Sequence, residues 1–226
     1  MEREDYFTKL YPLQDAVLAA FATTETEFYL TGGTAASRGY LNHRFSDDLD
    51  LFVNDDSRFG LWADRLIASV ADRREWDVSV GLRDPRFVRF SVTGRGLSLK
   101  VELVDDVPSR VGRVSVHPVL GRLDTAQNIL ANKLTALADR QEPKDLADIW
   151  GFCTLVGLPL AAALEGAHGK AVGLFPVDLA RPLLSATASD WELVRWIEAP
   201  SVDRFLEDLR RLGEGLLLLE PKDPPT

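Results

Sequence analysis

Apolar residues recur along this chain with two periods, and the change from one to the other divides it. Leu97, Leu99, Val101 and Leu103 alternate with Ser98, Lys100 and Glu102, and Val88, Phe90 and Val92 alternate with Phe87, Arg89 and Ser91. A period of two predicts half-buried strands over 97–104 and 87–92. Shorter runs predict strands at 27–31, 49–53, 76–80 and 114–116, with Gly94 to Gly96 as a turn between two of them. Helical spacing predicts helices over 5–21 and 59–71, and from about Asp124 it continues through 126–139, 144–155, 158–168, 177–184, 190–197 and 202–219. The order predicts an α+β fold class, with a mixed-sheet core over residues 1–122 and a helical C-terminal region over 123–226. Three prolines in Glu220 to Thr226 are expected to leave that tail frayed.

Composition sets outer limits. The chain has 226 residues, 46% of them hydrophobic and 27% charged, which suits an ordinary globular protein able to bury a sizeable core. No stretch approaches the roughly 18 uninterrupted apolar residues of a membrane span, and the first five residues are too acidic for a secretory signal, so a cytoplasmic protein is expected. Cys153 is the only cysteine, which excludes an internal disulfide, and it reads as a small buried hydrophobe. A net charge of −9 argues against a protein that coats nucleic acid nonspecifically. That average conceals a reversal: between Arg83 and Arg122 eight basic residues face four acidic ones, a local balance of +4.

Candidate chemistry concentrates at two places. Gly32 and Gly33 end the first strand-like run, thirteen residues (35–47) follow Thr34, and Asp48 and Asp50 then open the next run. In a strand those two carboxylates project from one face about 7 Å apart while Leu49 and Leu51 pack behind them. Hard divalent cations take such oxygen ligands together with substrate phosphates. Glycines without Cβ atoms let backbone N–H groups approach a phosphate, and Thr34 or Ser46 could add a hydroxyl. Glu102, on the polar face of its strand, is the candidate third carboxylate, with Asp105 as its competitor. Downstream, Lys133 and Arg140 lie seven residues apart on one helix face, and Asp145 and Asp148 lie three apart at the start of the next helix. The two basic groups are candidate phosphate ligands, and Lys133, a mobile point charge suited to a triphosphate, is the favoured one. Trp150 could stack on a base, although a tryptophan so placed usually belongs to a core.

These residues resemble the DNA polymerase β-like nucleotidyltransferase superfamily, and within it the AbiEii/AbiGii-type toxins. The resemblance runs through Gly32-Gly33-Thr34 and His43-Arg44-x-Ser46-Asp47-Asp48-Leu49-Asp50. It resumes at Ile129-Leu130-Ala131-x-Lys133-Leu134-x-Ala136-Leu137-x-Asp139-Arg140 and at Lys144-Asp145-Leu146-x-Asp148, covering roughly residues 26–152.

The resemblance implies a polymerase β-like core and transfer of an NMP from an NTP to an acceptor hydroxyl, dependent on Mg²⁺ or Mn²⁺. Asp48 and Asp50 would be metal ligands; Glu102, chosen from its place on the strand and standing where many members of the superfamily carry Asp, would be a further ligand or the base for the attacking hydroxyl. Gly32, Gly33, Thr34, Ser46, Lys133 and Arg140 would contact nucleotide or phosphate. Asp145 would hold Lys133 or Arg140 in an ion pair, with Asp148 in support. The implied acceptor is an RNA such as tRNA, and the implied partner a cognate antitoxin protein. Two other readings stand beside this one: AMP transfer to a small molecule or protein, and a nucleotide-binding module without catalysis.

Overall fold

The structure is a computed structural model that describes residues 1–219; the tail Glu220 to Thr226, expected to fray, lies outside the described residues. The chain forms two compact units. The first comprises Met1–Gly39, Phe45–Pro108 and Arg113–Thr125, and the second Tyr40–Arg44, Ser109–Gly112 and Ala126–Thr226. The second unit is thus helical region plus two short excursions of the chain, at 40–44 and 109–112, that no periodicity announces.

In the first unit the strands are β1 (Tyr29–Thr31), β2 (Leu49–Asn54), β3 (Asp77–Asp84), β4 (Phe87–Gly94), β5 (Leu97–Asp106), β6 (Ser115–His117) and β7 (Gly121–Leu123). They form one mixed sheet of seven strands in the order β3-β4-β5-β2-β1-β7-β6. β2 runs parallel to β5 and β1 parallel to β7, while the other neighbours are antiparallel. The alternation read from the sequence is what the sheet buries: Val88, Phe90, Val92, Leu99, Val101, Leu103, Leu49, Leu51 and Val53 all lie on its covered side. Each such side chain contributes roughly 1.5–3 kcal/mol on burial. The β4–β5 hairpin closes through Arg95 and Gly96, both with positive φ (55° and 74°), which matches the right-handed twist of the strands it joins.

Four helices complete this unit: α1 (Arg3–Asp5), α2 (Tyr11–Ala22), α3 (Gly32–Thr34) and α4 (Phe59–Ala71). α4 buries Phe59, Trp62, Ala63, Leu66 and Val70, the stripe expected of an amphipathic helix. The helix expected over 5–21 is instead interrupted by wide, π-type turns at Tyr6–Leu10. Pro12 follows Tyr11 in the first turn of α2, and a proline has no N–H to donate to the carbonyl four residues earlier. Similar wide turns, Ala35–Leu41, continue α3. Two strand expectations are corrected as well: β3 extends four residues beyond 80, and the three-residue β7 was not foreseen because it is too short to show a period.

The second unit contains α5 (Ala126–Asp139), α6 (Pro143–Thr154), α7 (Leu160–His168), α8 (Pro176–Leu184), α9 (Ala188–Leu193) and α10 (Val202–Leu217). α10 buries Phe205, Leu209, Gly213 and Leu216; a Cβ on Gly213 would sit 2.8 Å from Leu184 Cγ, so this glycine sets the close approach of α8. The helix expected over 190–197 is shorter and begins earlier. Thr187 and Asp190 cap its start reciprocally, and the chain turns extended at Val194. There the Ile197 N–H donates to the His43 carbonyl (2.8 Å) and Trp196 bridges to Arg44. Among the described residues no helix is long and apolar enough to cross a membrane.

Candidate active site

Register brings the first group of candidates together. Glu102 of β5 is the direct partner of Asp50 on β2, Arg89 of β4 is the partner of Glu102, and Thr31 of β1 is the partner of Asp50. Arg89, Glu102, Asp50 and Thr31 therefore form one row across the face opposite the apolar side chains, exposed at Arg89 and buried at Thr31, because paired residues on adjacent strands share a face. The next row follows by continuing the same register one pair back from Leu49 and Val101, which sets Asp48 beside Lys100. The distances agree. Lys100 Nζ lies 2.9 Å from Asp48 Oδ2 and 3.2 Å from Glu102 Oε1, and Arg89 Nε donates to the same Glu102 oxygen at 2.8 Å. Partial burial works against the charge of Glu102, yet Lys100 and Arg89 hold its carboxyl below the usual range; burial likewise opposes Lys100, yet Asp48 and Glu102 keep its ammonium above the usual lysine value.

The expected phosphate hydroxyls are used inside the fold. Thr34 is fully buried, and its Oγ1 donates to the Asp48 carbonyl at 2.5 Å; with its proton so placed, it accepts from Ser46 Oγ at 2.9 Å. Both hydroxyls therefore set the backbone that presents Asp48. A second clamp, invisible to local sequence patterns, comes from the N-terminal helices. The buried Gln14 amide donates to the carbonyls of Ser46 (3.2 Å) and Asp47 (3.1 Å) and accepts from Arg38 Nη1 (3.0 Å). Tyr6 donates to Asp47 Oδ1 at 2.6 Å and stacks on Phe45 with ring centroids 4.1 Å apart.

Gly32 and Gly33 open the turn that follows β1. At Gly32 φ is +65°, and a Cβ would lie 2.2 Å from Asp50 Oδ2. Backbone hand and space both require glycine here, and the space is taken by the carboxylate itself. Gly32→Ala is therefore expected to displace Asp50 and to cut activity about a hundredfold, as misplacement of a reacting group by about 1 Å does. A circular dichroism spectrum matching wild type would confirm that the loss is local; an active Gly32→Ala would contradict this geometry.

In the second unit the remaining candidates meet around two carboxylates, Asp145 and Asp148, whose side chains are wholly buried. Three residues apart in α6, they project from one face. Arg44 forks onto Asp148 with Nε to Oδ1 and Nη2 to Oδ2, both 2.7 Å, and His43 Nε2 lies 3.0 Å from Oδ1. Lys133 of α5, itself only 6% exposed, joins both carboxylates at 2.8 and 2.7 Å. Arg140 Nε reaches Asp145 Oδ2 at 3.2 Å, with half of its side chain exposed. Lys133 thus sits in a buried ion cluster, and Arg140 is the more accessible of the two basic groups. Burial opposes each charge, but Arg44 and Lys133 hold the Asp148 carboxyl well below its usual range, while Asp148 and Asp145 raise Lys133. Trp150 belongs to the core, donating to Asp208 Oδ2 (3.1 Å) and packing edge-on against Trp196 and Phe205. Cys153 is partly buried, with its thiol pushed up to about 12 by desolvation, and is unreactive at neutral pH.

His43 gives this cluster a pH signature. Burial lowers its pKa against the opposing pull of Asp148, and its Nδ1 has no partner among the described residues. The unfolded imidazole titrates near 6.5 and the folded one lower, so between those values only the unfolded chain binds the proton. Stability then falls as pH drops below about 6.5, with a limiting slope of about 1.4 kcal/mol per pH unit for one proton. His43→Asn is expected to flatten denaturant-midpoint curves between pH 7 and 5; an unchanged slope would place the titrating group elsewhere.

Of the candidates, Asp48, Asp50 and Glu102 have the hard oxygen donors that Mg²⁺ or Mn²⁺ prefers. Among the described residues no three His, Cys, Asp or Glu side chains already converge as a metal cage. The ammonium of Lys100 lies against two of the three carboxylates, so their place accepts a cation, and the donor set fits the ion.

From the sequence, Lys100 is a residue of the basic stretch on the polar face of its strand, and Arg44 enters only through the motif that carries the resemblance. The signal for Lys100 was present, since residues 100 and 102 share a strand face. For Gln14, Tyr6 and Arg38 no sequence signal existed.

The family model described as the nucleotidyl transferase AbiEii toxin of a type IV toxin–antitoxin system matches residues 16–192. No curated protein sequence matches the chain. Among solved structures, JHP933 from Helicobacter pylori superposes with a TM-score of 0.64 at 20% identity, covering 96% of this chain and 93% of that one. MenT4, a nucleotidyltransferase toxin from Mycobacterium tuberculosis, superposes with a TM-score of 0.59 at 16% identity, covering 93% of this chain and 84% of that one. At such identities these likenesses concern the fold.

Proposed function

Since the chain belongs to the AbiEii family of nucleotidyltransferase toxins, we propose that it transfers an NMP from an NTP to a hydroxyl of an RNA acceptor such as tRNA, with Mg²⁺ or Mn²⁺. The observation that carries this reading is the placement of Asp48, Asp50 and Glu102 in adjacent rows of one sheet face. Asp48 and Asp50 would hold the metal, which supplies electrophilic assistance to an in-line displacement at the α-phosphorus. Glu102 would accept the proton of the attacking hydroxyl; the new P–O bond forms on that oxygen, the α–β bridging bond breaks, and pyrophosphate leaves. Gly32 keeps room for Asp50, and Thr34, Ser46 and Gln14 fix the backbone from which Asp48 projects. In the helical unit, Arg140 is the group best able to turn toward a phosphate, with Lys133 held in place by Asp145 and Asp148. Residues 1–122 would then carry the carboxylates and 123–226 the Lys133 and Asp145 motifs. A cognate antitoxin as partner follows from the family's description as one half of a toxin–antitoxin system.

The test incubates purified protein with Mg²⁺ and each α-phosphate-labelled NTP in turn, against total RNA and a protein extract. Label on RNA is the expected result. Label on protein alone would replace the acceptor, and NTP binding without transfer to any acceptor would leave a binding module.

A further inference from the structure

Three carboxylates on one face repel one another, and in this protein the charge opposing them comes from the chain. Lys100 sits two residues before Glu102 on β5 and beside Asp48 in the neighbouring row, and its ammonium touches both. Arg89 approaches Glu102 from the β4 side, so Lys100 is the cation that lies between Asp48 and Glu102. Two properties suit it to leaving. Its four-carbon stem is flexible, and 41% of the side chain is exposed, so the ammonium can swing into water without opening the core.

We propose that Lys100 is a place-holding counter-ion: its ammonium binds Asp48 and Glu102 when no divalent ion is present, and it must release Asp48 before one can bind. The proposal rests on the reading of Asp48, Asp50 and Glu102 as metal-binding carboxylates. It makes metal binding a competition between two cations for one oxygen set. The free protein therefore binds a divalent ion more weakly than its carboxylates alone would, and the fold around Asp48 stays ordered without metal.

The experiment measures Mn²⁺ binding to NTP-free protein by electron paramagnetic resonance of the unbound ion, for wild type, Lys100→Met, Lys100→Gln, Lys100→Arg and Asp48→Asn. Removal of the competing charge is expected to tighten Mn²⁺ binding about tenfold in both neutral variants. Lys100→Arg, which keeps the charge, is expected to bind no more tightly than wild type. The metal-free neutral variants should also melt lower than wild type and gain more on adding Mn²⁺. Having two neutral variants keeps the test alive if one fails to fold. Unchanged or weaker Mn²⁺ binding in the folded neutral variants would overturn the place-holder role while leaving the metal site intact, provided Asp48→Asn abolishes binding. Wild-type Mn²⁺ binding that survives Asp48→Asn, or is absent altogether, would overturn the metal-site reading and this proposal with it.

Discussion

Asp148→Ala is expected to lower the unfolding free energy by about 3–5 kcal/mol, the usual cost of breaking a buried ion pair from one side. The reason lies in what remains. Arg44 and Lys133 are nearly inaccessible to water, and Asp148 takes two bonds from the first and one from the second, with His43 against the same carboxylate. Without it Arg44 loses its fork and Lys133 loses one of its two aspartates, although both cations stay buried. Asp148→Asn should be milder, since the amide oxygen still accepts one of the guanidinium bonds. Replacing both partners, as Arg44→Met with Asp148→Leu, should recover much of the loss, because apolar groups of similar volume need no counter-charge. Urea midpoints of the singles and the double measure this directly. Additive losses would show that Arg44 and Asp148 are not coupled.

The second large effect is on activity alone. Asp50→Asn preserves shape but removes the negative charge beside Glu102, and transfer is expected to fall about a thousandfold or more, on the order of losing a group that acts on the developing charge of the transition state. Asp50 is half-buried on the face opposite the apolar side chains of its strand, so the circular dichroism spectrum should match that of wild type. An Asp50→Asn protein with near-normal transfer would remove the carboxylate pair from the mechanism. Loss of activity together with loss of fold would assign Asp50 to structure.

Much of this site was legible because it is built from short-range rules. Alternation alone set Asp48, Asp50 and Glu102 apart from Leu49, Leu51, Val101 and Leu103, and the structure places those two sets on opposite faces. Strand pairing was not legible. That β2 lies beside β5, and Asp50 beside Glu102, depends on a parallel pairing across some fifty residues that no local pattern encodes. The glycine turn was seen, but the room that Gly32 leaves for the Asp50 carboxylate was not, because it depends on the pairing of β1 with β2. The threonine and serine hydroxyls looked free because their partners are backbone and each other. Helix 126–139 was legible from its period, whereas the burial of Lys133 within it was not, because a lysine on a helix reads as exposed until its two aspartates are brought to it.

One measurement tests the central claim most directly. Wild type is given an NTP labelled either at the α- or at the γ-phosphate, with Mg²⁺ and RNA, beside Asp50→Asn. Nucleotidyl transfer predicts that α-label enters the RNA, that γ-label leaves as pyrophosphate, and that neither happens with the variant. Incorporation of γ-label, or α-label transfer that survives Asp50→Asn, would contradict transfer of a nucleotide at these carboxylates.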